Sequence, residues 1–139
     1  MSNRSGVAFV SNDKEKLDTI EKEVKSFKTT CNLSFIRKED AVVVYISHSM
    51  YAEDLYAADS LIYKVCSVVD DVYIEYASDA YIEYVSDGYE IIEDHYTSAL
   101  ESISMDATII DYDDFIEKYK HTKFSMSYLE SGIIDRQTV

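Results

Sequence analysis

The chain has 139 residues, of which 47% are hydrophobic, and it carries 27 acidic residues against 13 lysines and arginines. This length suits a single domain, residues 1–139, and the hydrophobic content argues against a disordered chain. No apolar run approaches the roughly 20 residues of a membrane-spanning helix, and the first ten residues lack the layout of a signal peptide. We therefore expect a cytoplasmic protein without a membrane partner.

The negative charge is concentrated in the middle of the chain. Residues 39–117 contain twenty acids and one base, Lys64, which is a net charge of −19, whereas residues 1–38 carry +3 and residues 118–139 carry +2. Direct binding to nucleic acid is close to excluded, because neutralising phosphates requires patches of lysine and arginine. Repulsion of this size destabilises the compact state. The charge therefore indicates either attraction to a basic partner or a simple need for solubility.

The first half of the chain predicts three strands and two helices. Strands are predicted over 6–11, around 31–35 and over 41–47, and helices over 13–27 and 50–66. Asn12 and Glu15 form a plausible capping box for the first helix, whose core face would be Leu17, Ile20, Val24 and Phe27. The continuous apolar character of residues 41–47 predicts a central strand that is covered on both faces.

An eight-residue unit is repeated over residues 71–94, as DVYIEYAS, DAYIEYVS and the divergent DGYEIIED. We expect the first two copies to form an antiparallel hairpin and the third to begin a helix over 88–104. Alternation along the strands predicts one face toward the core and the other toward solvent. The predicted core face consists of Val72, Ile74, Tyr76, Ile82 and Tyr84, and the predicted solvent face carries Tyr73, Glu75, Tyr81 and Glu83.

The remaining elements complete the predicted fold. A short strand is expected over 107–110, a helix that begins at Asp111 and ends near His121, and an edge strand over 124–128. The order β-α-β-β-α-β over the first 77 residues is that of a ferredoxin-like motif. The predicted class is α+β, with a single sheet of about five to six mainly antiparallel strands and three to four helices. The alternative is a Rossmann-like α/β fold with a ligand at the end of the 41–47 strand.

One short motif predicts an enzyme as an alternative function. Ser47-His48-Ser49 lies at a predicted strand end that leads into a helix, and it resembles the strand-end Ser-His-Ser of some TIR domains. With Glu53 or Asp54, such a site would process a nucleotide or a nucleotide signal. A helix cap and a turn histidine explain the same residues. The sequence contains no P-loop, dinucleotide-binding, EF-hand or zinc pattern, so no cofactor and no metal site is predicted.

The spacing of the acids in the repeat predicts the main function. Carboxylates recur every four residues, and neighbours on a strand or helix face lie about 5–7 Å apart, so a rigid array can imitate a phosphate track. This composition resembles that of small viral DNA mimics that block restriction, CRISPR or repair enzymes. The resemblance implies a non-enzymatic inhibitor, in the host cytoplasm if viral, that binds a basic nucleic-acid-binding protein. The predicted partner-binding residues are Asp70, Asp71, Tyr73, Glu75, Asp79, Tyr81, Glu83, Asp87, Glu90, Glu93 and Asp94.

The repeated tyrosines leave a further alternative open. Tyrosine supplies rigid, amphipathic contact area and is enriched at interfaces. A tyrosine-rich hairpin that is complementary to itself would make the chain a self-associating module, and a homodimer is therefore a second alternative.

Overall fold

A computed structural model describes residues 3–48, 53–78 and 107–119 of the chain. These residues form one mixed five-stranded sheet with three helices, which confirms the predicted α+β class. In chain order the elements are β1 (Asn3–Val10), α1 (Lys14–Ser26), β2 (Asn32–Arg37), β3 (Ala41–His48), α2 (Glu53–Cys66), β4 (Tyr73–Ser78), β5 (Ala107–Ile109) and α3 (Tyr112–Lys118). The predicted helix over 88–104 and the predicted strand over 124–128 lie outside the described residues.

The strands are arranged in the order β2-β3-β1-β4-β5. The β2–β3, β3–β1 and β1–β4 pairs are antiparallel, and the β4–β5 pair is parallel. The sheet is therefore mainly antiparallel, as predicted. The Rossmann-like alternative is wrong, because β3 would need parallel neighbours and has antiparallel ones on both sides. The first six elements follow the predicted β-α-β-β-α-β order, and the ferredoxin-like assignment of this start stays a prediction.

Strand β3 lies in the interior of the sheet and is covered on both faces, as its sequence predicts. It lies between β2 and β1, and residues 41–47 are all buried. Helices α1 and α2 cover one face of the sheet, and α3 packs on the opposite face. A strand with apolar residues at every position can satisfy both faces only when each face is covered.

Helix α1 begins one residue later than the predicted capping box requires. The N-cap is Asp13, whose Oδ1 accepts hydrogen bonds from the backbone N–H groups of Glu15 at 2.9 Å and Lys16 at 3.4 Å. A carboxylate at this position also favours the positive end of the helix dipole, so Asp13 replaces the predicted Asn12 as the cap. The predicted core face is confirmed, since Leu17, Ile20, Val24 and Phe27 are all buried.

The first octad forms β4, but its pairing differs from the prediction. Strand β4 pairs with β1 on one side, and on the other side Ile74–Tyr76 pair with β5. The predicted antiparallel hairpin between the first two octads is therefore wrong at β4, because both edges of the strand are occupied there. The second and third octads, residues 79–94, lie outside the described residues.

Candidate functional site

The two faces of β4 separate as predicted, with one exception. Val72, Ile74 and Tyr76 are buried against α1 and α2, and Tyr73 is 36% exposed. Glu75 was predicted to face solvent, and this prediction is wrong, since the residue is only 4% exposed. It does lie on the predicted face, next to Tyr73 and Ala77, but the end of α3 covers that face. Glu75 is therefore no surface contact for a partner.

The buried carboxylate of Glu75 is surrounded by hydrogen-bond donors. Its Oε1 accepts from Lys118 Nζ at 2.5 Å, and its Oε2 accepts from the Tyr119 hydroxyl at 2.5 Å. The Tyr73 hydroxyl lies 3.2 Å from Oε1 and 3.2 Å from Thr108 Oγ1. Burial of an unpaired carboxylate is costly, whereas these donors from α3 and β4 compensate for the lost water. The two shortest hydrogen bonds come from Lys118 and Tyr119, which follow Glu75 by 43 and 44 positions in the chain.

This environment determines the charge of the cluster. Burial raises the pKa of Glu75, but the hydrogen bonds from Lys118, Tyr119 and Tyr73 and the charge of Lys118 together outweigh it, so its pKa lies below the ordinary value. Burial and the adjacent Glu75 raise the pKa of Tyr119, and burial raises that of Tyr45. At neutral pH, Glu75 is therefore ionised and both tyrosines remain protonated donors. Tyr45 uses its hydroxyl to donate to the backbone carbonyl of Tyr119 at 3.1 Å.

Of the predicted partner-binding residues, two acids are placed at the surface. Asp70 and Asp71 are both exposed in the connection between α2 and β4. Asp71 has a backbone φ of 55°, in the left-handed region that few residues with a side chain adopt. The other predicted residues, namely Asp79, Tyr81, Glu83, Asp87, Glu90, Glu93 and Asp94, lie outside the described part of the chain.

The backbone conformation of Asp71 leads to a stability prediction. Asp71→Val is expected to lower the free energy of unfolding by about 1–2 kcal/mol, because a β-branched side chain is strained at positive φ. Asp71→Gly should be neutral or slightly stabilising. Urea unfolding measures both, with Asp70→Val as the matched control. A cost for Asp71→Val no larger than that for Asp70→Val would contradict the assignment of strain to residue 71.

Helix α3 carries an acidic surface that the sequence analysis did not assign to binding. Asp113, Asp114 and Glu117 are exposed, and Asp111 caps the helix by accepting from the N–H groups of residues 113 and 114. The helix buries Tyr112 and Phe115 on its other side, followed by Tyr119. This three- and four-residue spacing of aromatic residues between acids was the signal in the sequence for a helix with one acidic face.

The exposed acids of the central segment have little compensating charge. In the described part of residues 39–117, eight carboxylates are exposed, and none of them forms an ion pair with another described residue; they are Glu39, Asp40, Asp70, Asp71, Asp111, Asp113, Asp114 and Glu117. Lys64, the single base of this segment, points back to α1, where its Nζ lies 3.0 Å from Ser26 Oγ and 3.7 Å from Glu23. The described surface of this segment therefore carries mainly negative charge.

The end of β3, where the alternative enzyme site was predicted, has Ser47 buried in the interior. Ser47 is 2% exposed, next to β1 in the sheet, and His48 is the last residue of β3. The side chain of His48 and residues 49–52 lie outside the described residues.

An open cleft of about 590 Å³ lies at the opposite end of β3, beside the β2–β3 turn. There Arg37 is bound by Asp18 at 2.8 Å and Glu21 at 3.6 Å, so its charge is already compensated.

The described residues offer neither a metal-binding cluster nor a membrane-spanning helix. No group of histidine, cysteine and acidic side chains among them is arranged to hold a metal ion. None of the helices in residues 3–48, 53–78 and 107–119 has the length and apolar character to cross a membrane.

Comparisons of the chain with protein-family models, with curated proteins and with solved structures found no match. A functional assignment therefore depends on the charge and geometry of the chain itself.

Proposed function

We propose that this chain is a non-enzymatic acidic binding protein that occupies the basic nucleic-acid-binding surface of a partner, in the manner of a DNA mimic. The observation that carries the proposal is the set of eight exposed carboxylates in the described part of residues 39–117 that form no ion pair with another described residue. Potentials of one sign attract partners of the opposite sign and speed their association. A basic nucleic-acid channel is the common protein surface with the matching charge.

Helix α3 supplies a rigid frame for part of this surface. Asp113 and Glu117 are four residues apart and Asp114 and Glu117 three, so their Cβ atoms lie about 5–6 Å apart. Phosphates on one DNA strand are also regularly spaced, with a rise of about 3.4 Å along the axis, so a regular row of carboxylates can imitate part of a phosphate track. The aromatic side chains beneath α3 are buried and hold the helix on the sheet. Carboxylates on a fixed element bind with less loss of conformational entropy than carboxylates on a loop.

Reversing charge on α3 tests the proposal. The variant Asp113→Lys with Glu117→Lys avoids the helix cap Asp111 and the buried Glu75, so the fold is expected to persist. Immobilised wild-type chain should capture basic nucleic-acid-binding proteins from a host lysate, capture should weaken with salt, and a short DNA duplex should compete. The double reversal should weaken capture by at least about tenfold, because it changes the local charge by four units.

A matched variant on α1 separates local charge from net charge. Glu15 is also exposed in the first turn of a helix, and Glu15→Lys, combined with Asn12→Lys and Thr30→Lys beside that helix, changes the net charge by the same four units without breaking an ion pair. This control should retain most of the capture, since α1 lies outside the acidic segment. Capture that survives the α3 reversal at low salt would overturn the proposal, as would capture with which duplex DNA does not compete.

A further inference from the structure

The unit formed by β5 and α3 is attached to the rest of the fold by few contacts. Strand β5 has three residues and pairs through Ile74–Tyr76 of β4, and α3 has seven residues and packs mainly on β1 and β4. Its aromatic side chains belong to a buried cluster separate from the core under α1 and α2. Segments with a small separate core open locally at lower free energy than the main core.

Several side-chain hydrogen bonds that attach this unit converge on Glu75, and the Tyr45 hydroxyl adds one to the backbone carbonyl of Tyr119. Lys118 and Tyr119 at the end of α3 both donate to Glu75, and the Tyr73 hydroxyl lies between Glu75 and Thr108 of β5. A deprotonated carboxylate can accept from Lys118, Tyr119 and Tyr73, whereas a protonated one has to donate at one oxygen and loses its attraction to the Lys118 ammonium. The docked arrangement of residues 107–119 therefore requires the ionised form of Glu75.

We infer that Glu75 is a proton-sensitive latch: its ionised carboxylate holds residues 107–119 on the sheet, and its protonation releases them as a unit before the α1–α2 core opens. The described groups that face the latch are Lys118 and Tyr119 from α3, Tyr73 from β4 and Thr108 from β5. Ala8, its partner on β1, cannot titrate. Lys38 and Asp40 from the β2–β3 turn act on Glu75 only through Tyr119. Lys38 Nζ lies 5.6 Å from the centre of the Tyr119 ring, and the charge of Asp40 contributes to raising the pKa of the Tyr119 hydroxyl.

The direction of the effect follows from the hydrogen bonds. The folded pKa of Glu75 lies below its unfolded value, so the latch is fully closed above the ordinary pKa of a glutamate. It weakens as the pH falls from that value through the folded pKa. The release therefore occurs under acidic conditions and not near neutrality.

Amide hydrogen exchange of the full chain tests the latch. Glu75→Gln imitates the protonated acid at pH 7. The measurement is then made far from the sequence pI of about 4.4, at which the uncharged protein would aggregate. Protection of peptides that cover residues 107–119 should fall by about tenfold or more in this variant, since hydrogen bonds to charged groups are lost. Peptides from α1 and β3 should remain better protected than residues 107–119. In the wild type, the same local loss should develop in dilute samples as the pH is lowered below about 4.

A second variant guards against a general loss of folding. Tyr119→Phe removes one donor and leaves the carboxylate. In this variant the protection of residues 107–119 at pH 7 should lie between that of wild type and that of Glu75→Gln, and it should still fall as the pH is lowered. Three bonds report on the unit, namely Ile110 N–H to Tyr76 O, Phe115 N–H to Asp111 O and Tyr119 N–H to Phe115 O. Wild-type protection of residues 107–119 in Glu75→Gln would overturn the latch. Equal protection of α1 and of residues 107–119 would overturn it as well, because the opening would then be global.

Discussion

Replacement of Phe115 by alanine is expected to lower the free energy of unfolding by about 3–5 kcal/mol, the usual cost of deleting a buried phenylalanine ring. The side chain is fully buried in the centre of α3, with its ring 4.8 Å from that of Tyr119 and edge-on to Tyr45 at 6.3 Å. A helix of seven residues has little stability of its own, so its packed face determines whether it stays docked. Urea denaturation, followed by circular dichroism, measures the loss.

Gly6 provides the control for this contact. A Cβ at residue 6 would lie 2.6 Å from Cδ1 and 2.9 Å from Cζ of Phe115, closer than carbon atoms approach each other. Gly6→Ala should therefore cost about 1–3 kcal/mol by overpacking. In the Phe115→Ala background the same change should cost much less, since the opposing ring is gone. Equal costs of Gly6→Ala in both backgrounds would contradict the close approach of α3 to β1.

Local patterns in the sequence predicted the elements that depend on neighbouring residues. The apolar run 41–47 predicted a doubly covered strand, and helical spacing predicted the buried face of α1, because both properties depend on which residues alternate or recur. The N-cap of α1 was displaced by one residue, since Asn12 and Asp13 can both cap a helix and only the backbone conformation selects between them.

Strand pairing and burial at β4 could not be predicted in the same way. The octad repeat favoured a hairpin because adjacent similar strands often pair, but β5, more than thirty residues further along, occupies that edge. Alternation placed Glu75 on the correct face and could not show whether a helix covers it. The cover comes from Lys118 and Tyr119, and no local pattern connects those residues with β4.

The interaction surface was predicted in composition more than in position. The concentration of charge in residues 39–117 indicated an acidic surface, and Asp70 and Asp71 are exposed as expected. The acids of α3 look in the sequence like ordinary N-terminal helix residues, because aspartate is favoured there in any protein. The spacing of the aromatic residues indicates one acidic face, and the packing of α3, with those aromatic side chains inward, shows that this face points outward.

Glu75→Ala is expected to lower the free energy of unfolding by about 2–4 kcal/mol at neutral pH. The buried Tyr119 hydroxyl would lose its acceptor, and a cavity would remain beneath α3. Lys118 contributes less, since its side chain is 55% exposed and water can replace the carboxylate. Urea unfolding at pH 7 measures the loss. Asp70→Ala, which removes an exposed acid, is the control and should change stability by no more than about 0.5 kcal/mol.

The pH dependence of the stability difference between wild type and Glu75→Gln gives the sharper result. Because the folded pKa of Glu75 lies below its unfolded value, the carboxylate adds stability that is complete above the ordinary pKa of a glutamate. That contribution is lost as the pH falls through the folded pKa, so the difference between wild type and Glu75→Gln should shrink steadily below about pH 4. A difference that stays constant with pH would show that hydrogen-bond geometry, and not ionisation, makes Glu75 important. Wild-type stability of Glu75→Ala at pH 7 would instead mean that the carboxylate faces water, as strand alternation alone predicts.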